Sequence, residues 1–168
     1  MRDDLTATNS LTPALPSHDS ALIPVARIQA LVASGRDEWC WHTLPDATEF
    51  HTVARLTVLR RGQDVELANV IGQEITIEHV VIHAASKVQP DGELQQFARV
   101  LLVPPHGPPV SCGAASVIQA VNQLVSDFQR PLPWQPPLRV RVHSRTTTPP
   151  NRIYWFEPLG FVDEKETS

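Results

Sequence analysis

The chain has 168 residues, of which 42% are hydrophobic and 19% charged, with a formal net charge of −4. That apolar content supports one packed domain with an appendage and excludes both a disordered polyelectrolyte and a uniformly basic chain. No apolar run approaches the roughly 20 residues that cross a bilayer, so no membrane partner is expected. Asp3 and Asp4 stand where a secretory leader would be basic. Cys40 and Cys112 are far apart with no C-x-x-C, which argues against a disulfide framework or a zinc knuckle and makes a reducing cytoplasm the expected compartment.

Proline is over-used, at 16 residues, about twice the average share of roughly 5%. Its clusters at Pro104–Pro109 and Pro131–Pro137 cannot sit inside helices or central strands, so they cut the chain into short elements. Residues 1–20 are polar and without period and are expected to form a disordered leader. Pro24, the face of Ile28, Leu31 and Val32, and Gly35 as a C-terminal cap predict a helix over 24–33. Trp39 and Trp41 follow, as barrel packing or as a contact between copies of the chain. Asp46 and Glu49 have capping-box spacing, and Phe50, Val53 and Thr57 would share a face, which predicts a helix over 46–60. Residues 21–63 thus read as a partly helical extension.

Glu74 to Glu78 alternates at period two, as a half-buried strand does. The apolar parity then switches from odd to even at Val80 and Ile82, which predicts a bulge near His79. Pro90-Asp91-Gly92 is a turn, Phe97 to Val103 an apolar strand, and Val110 to Ala114 a third strand. Val117, Ile118, Val121, Leu124, Val125 and Phe128 form one helical stripe, with Ser116 and Gln119 as a cap and Pro131 as a stop. Leu138, Val140 and Val142 alternate with Arg139, Arg141 and His143, and Arg152 to Phe156 is a last strand. Three strands, a helix and two strands over residues 64–162 predict a mainly β fold: an OB-like, five-stranded Greek-key barrel with its helix between strands three and four.

The run V-S-C-G-A-A-S-V-I-Q-A-V-N-Q-L-V-S-D-F-Q-R-P-L-P-W-Q-P-P-L-R-V-R-V from Val110, and N-R-I-Y-W-F-E-P-L from Asn151, resemble bacteriophage single-stranded DNA-binding proteins of the OB type. The resemblance covers roughly residues 72–159. It implies cofactor-free, non-catalytic, sequence-tolerant binding of single-stranded DNA in phage replication or recombination, in the host cytoplasm. The acidic residues 163–168 resemble tails through which such proteins recruit replication or recombination partners, though without a hydrophobic tip; a solvated terminus is the plainer reading.

The basic block fits that chemistry. Residues 128–156 hold Arg130, Arg139, Arg141, Arg145 and Arg152 and no acid. Single-strand binders need cations along the phosphates and flat side chains under the bases. The expected contacts are Arg139, Arg141, Arg145 and Arg152 with Tyr154, Phe156 and Trp134. A slip of one position would exchange Tyr154 for Trp155 on the binding face. The bland alternative is a protein-interaction or structural module whose outward strand residues merely meet water or a protein. His79 with His83, and Cys40 with His42 and His51, lack a zinc spacing, so no metal is expected. Cys112 with His106 is the one pair that a thiol hydrolase could use.

Overall fold

The computed structural model describes residues 22–44 and 49–162. The leader, the proposed cap at Asp46 and the acidic tail lie outside the described residues. Among them run α1 (Val25–Ala33), β1 (Cys40–His42), α2 (Glu49–Arg61), β2 (Val65–Glu66), a 3-10 turn at Leu67–Val70, β3 (Glu74–Ile77), β4 (His79–Val88), β5 (Leu94–Val103), β6 (Val110–Cys112), α3 (Ala115–Phe128), β7 (Leu138–Thr146) and β8 (Arg152–Phe161).

The strands form two sheets, ordered β1-β4-β5-β6-β2 and β3-β7-β8. The fold is mainly β, and neither sheet closes into a barrel. β3 and β4 are one stretch of chain that leaves the second sheet and enters the first at Glu78, whose N–H donates to Val103 O at 2.9 Å and whose carbonyl accepts from Trp134 N–H at 2.9 Å. The parity switch read at His79 is this crossing. Side chains alternate across a strand, so a strand serving two sheets must shift its pattern where it changes partners.

The core lies between the sheets. Ile77, Val80, Ile82, Val100 and Leu102 meet Leu138, Val140, Val142 and the buried stripe of α3 (Val117, Ile118, Val121, Leu124 and Val125). Each such side chain contributes about 1.5–3 kcal/mol relative to exposure. Phe128, at the end of the stripe, is instead 37% exposed and packs edge-on against Phe161 with ring centroids 5.4 Å apart. The expected Ser116 cap is not made: the N-cap is Ala114, without a side-chain bond, and Ser116 Oγ accepts the Tyr154 N–H at 3.2 Å.

α1 ends at Ser34 with Gly35 at φ +70°, the left-handed backbone that a C-terminal cap wants. Asn122 fastens the segment before it to α3, accepting from Ile23 N–H at 2.8 Å and donating to Ile23 O at 3.0 Å. α2 lies on the opposite face of the first sheet, where Leu56 and Leu59 pack on Leu44, Val81, Leu101 and Val103. Val53, expected on the packed face, is 61% exposed; the half-buried positions Thr52, Leu56 and Leu59 are the true i, i+4, i+7 stripe. A Cβ at Gly62, just past the helix, would stand 2.6 Å from Val58 O, so glycine is needed for the chain to turn away.

Candidate nucleic-acid interface

The outer face of β7 and β8 carries part of the predicted site. Register places Arg141 opposite Glu157, His143 opposite Trp155 and Arg145 opposite Ile153, while Tyr154 and Phe156 pair with Ser144 and Val142 on the inner face. Tyr154 and Phe156 are accordingly buried at 8% and 7% exposure, and Trp155 is 44% exposed. The expected outward pair Tyr154 and Phe156 is corrected to core. Trp134 is also core, 1% exposed, with its Nε1 donating to Arg130 O at 3.2 Å.

This face neutralises much of its own charge. Arg141 sits between Glu74 at 3.0 Å and Glu157 at 3.6 Å, and His143 Nε2 is 2.9 Å from Glu157 Oε2. The hydrogen bond from His143 and the Arg141 guanidinium hold the Glu157 carboxyl below its ordinary range. The His143 ring stacks on Trp155, centroids 5.4 Å apart and planes 11° from parallel, so one side of that indole is occupied. Arg139 and Arg145 have no carboxylate partner among the described residues.

A second basic surface lies on the first sheet, and sequence reasoning missed it. Register pairs His83 with Arg99, Ala85 with Phe97 and Lys87 with Gln95, all on the face that α2 covers farther along at Val81 and Leu101. Beyond the end of α2 this face stays open. A cleft of about 600 Å³ runs between Lys87, Gln95 and Phe97 on one side and Pro150, Asn151, Arg152 and Tyr154 on the other, floored by Cys112–Ser116. A neighbouring cavity of about 250 Å³ shares Phe97, Cys112, Gly113 and Tyr154 and adds Glu66, Arg99 and Ser111. A third, of about 360 Å³, is bounded by Thr57, Arg60, Arg61 and His83.

Gly113 lets Phe97 lie close to the β6 backbone, since a Cβ there would stand 3.0 Å from the ring. Arg99 pairs with Asp64 and donates to Ser111 Oγ at 3.2 Å. Burial pushes the Asp64 carboxyl up, but Ser111 and Arg99 outweigh it and hold the group ionised below its usual range. Burial pushes the Tyr154 phenol up, partly offset by the nearby Arg152 guanidinium. The three cavities are thus lined by Arg60, Arg61, Lys87, Arg99 and Arg152 against the single carboxylate of Glu66.

No family model, curated protein or solved structure matches the chain.

Of the predicted residues, the structure brings Arg152 and Tyr154 into the cleft, leaves Arg139, Arg141 and Arg145 on the outer face of β7, and buries Phe156 and Trp134. Cys112 Sγ accepts from Ala114 N–H at 3.3 Å, and burial keeps its thiol protonated by raising its pKa. Cys40 is pushed up to about 11 by burial, partly offset by Arg60. Neither is an activated nucleophile. Among the described residues, no three His, Cys, Asp or Glu side chains come together to hold a metal, and no helix is long and apolar enough to cross a membrane.

Proposed function

We propose that the chain is a non-catalytic, sequence-tolerant single-strand binder of OB type, and that the strand lies across the first-sheet face around Phe97. One observation carries this reading: five cations, of which Arg99 is paired with Asp64, and two aromatic side chains line three cavities, two of them adjoining at Phe97 and Tyr154, with Glu66 the one lining carboxylate, in a chain of net charge −4. Cations follow phosphates, and Phe97 offers a flat side chain for a base.

The strand path supports the OB part of the reading. In an OB barrel the first strand bends to pair with two others, as β3 and β4 do here, and the helix follows the third strand, as α3 follows β6. The cleft is then bounded by the face of strands two and three (β5 and β6) and by the loop joining strands four and five, the region where that fold takes oligonucleotides. The departure is the seam between β6 and β8, where Ser116 Oγ replaces a strand partner for Tyr154. Single-stranded DNA as ligand, and a place in phage replication or recombination, rest on the resemblance of residues 110–142 and 151–159.

A protein-binding module is the second reading, favoured by Val88 and Leu94. They face each other at the tip of the β4–β5 hairpin with 70% and 62% exposure. Titration with oligo-dT at low and high salt, followed by tryptophan fluorescence, separates the two. A strand binder loses affinity with a log–log slope of about 0.7 per phosphate neutralised. Absence of binding at low salt leaves the protein-binding reading.

A further inference from the structure

We infer that the cavity beside the C-terminal end of α2 is a phosphate-binding pocket that takes up one proton, on His83, when it fills. This deepens the proposed function and rests on it for the phosphate's carrier, a strand backbone; free phosphate has the same chemistry and is a separate arm of the test.

The pocket is about 360 Å³ and is bounded by Thr57, Arg60 and Arg61 of α2 and by His83, Ala84 and Ala85 of β4. His83 is 6% exposed. Its Nδ1 is 2.8 Å from Ala84 O, and a carbonyl only accepts, so Nδ1 carries the hydrogen. In the neutral ring Nε2 is therefore a bare lone pair, and it is buried without a hydrogen-bond partner among the described residues. A buried polar atom with no partner is costly, and native structures rarely keep one without a use.

Burial is the main reason the ring carries no second proton, and the charges around it act on the same site. Arg60 from α2 and Arg99 from β5 both oppose a proton on Nε2, while Asp64 favours one but is held by Arg99. Cys40, opposite His83 on β1, is a protonated thiol and supplies no charge. Burial acts in the same direction as the arginines, so the ring is neutral at pH 7.

An entering phosphate reverses the balance. Its oxygens are acceptors for the Arg60 and Arg61 guanidiniums, which have no carboxylate partner among the described residues, and guanidinium geometry matches phosphate well. With a negative charge inside the pocket beside the ring, the field there favours the charged form, and a proton from bulk water moves onto Nε2. No covalent bond forms or breaks.

The test is calorimetric titration of the full chain with oligo-dT near pH 7, in two buffers of different ionisation enthalpy, together with affinities from pH 8 to pH 6 at constant salt. Uptake of about one proton is expected, with affinity rising toward tenfold per pH unit. The variant His83→Gln keeps an uncharged amide donor near the Nε2 position and is expected to bind with that pH dependence removed. Equal pH dependence in both proteins, or no proton uptake by the wild type, overturns the inference and leaves strand binding standing. If oligo-dT fails to bind at any pH, the proposed function fails, and inorganic phosphate alone decides the pocket. A phosphate-induced shift of the His83 ring resonances supports it; an unmoved ring overturns it.

Discussion

Acid should destabilise this protein well before its carboxylates titrate, because two histidines are buried uncharged. His79 is 2% exposed and His83 6%. Burial lowers both from the ordinary 6.5, for His83 aided by Arg60 and Arg99. His79 also feels Glu78, whose Oε2 is 3.8 Å from its Nε2 and which opposes the shift without reversing it. The unfolded chain binds these protons at about pH 6.5 and the native chain only at lower pH. Their stability contribution is therefore complete above pH 6.5 and declines as pH falls toward the native values. Each proton difference is worth about 1.4 kcal/mol per pH unit, so the limiting slope for both is roughly 2.7 kcal/mol per unit. Asp64 acts at lower pH: its depressed carboxyl stabilises above its unfolded value of 3.8 and loses that only as pH falls further. Urea unfolding followed by the buried Trp39 and Trp134, from pH 8 to pH 4.5 in phosphate-free buffer, measures the slope. His79→Gln and His83→Gln should each flatten it. A stability that is level from pH 6.5 to pH 5, or a slope neither variant changes, refutes the assignment of these rings as neutral.

Trp134→Ala should destabilise by about 3–5 kcal/mol, the usual cost of emptying a buried aromatic site, here with loss of the Nε1 bond to Arg130 O; urea midpoints at unchanged m check it. Tyr154→Ala should lower the melting temperature, whereas Trp155→Ala, on an exposed position, should leave it within about 2 °C of wild type; thermal scans of the pair decide it. Cys40 and Cys112 should resist iodoacetamide at pH 7 in the folded protein and react once unfolded, because both thiols are held protonated; rapid native labelling would contradict that protonation.

The elements with strong periodic contrast were legible in the sequence. The stripe of α3, the alternation of β7 and the parity switch before Val80 each follow from one side of an element meeting water and the other meeting the core. β8 was legible as a strand but its face was not, because Ile153-Tyr154-Trp155-Phe156 is apolar at every position and carries no contrast to set it. Its register is also shifted at Arg139 and Val140, where Gly160 and Pro158 are the partners and Leu159 is passed over. The face around Phe97 was hidden for a different reason. Residues 97–103 read as one continuous apolar strand, yet α2 covers only the Leu101–Val103 end, and that depends on a helix over forty positions earlier in the chain. Arg60, Arg61, Lys87, Arg99 and Arg152 are scattered in sequence, so no charge run announced the patch that the fold assembles from them.

The proposed binding face is the one around Phe97 and its cations rather than the outer face of β7 and β8. Oligo-dT affinity of Phe97→Ala and of the double variant Arg139→Ala with Arg145→Ala, measured at one low salt concentration beside wild type, tests it most directly. Loss of one base–aromatic stack should weaken Phe97→Ala by about 1–3 kcal/mol, or roughly five- to 150-fold, with the arginine pair changed much less. Affinity unchanged in Phe97→Ala but strongly reduced in the Arg139 and Arg145 variant would contradict it.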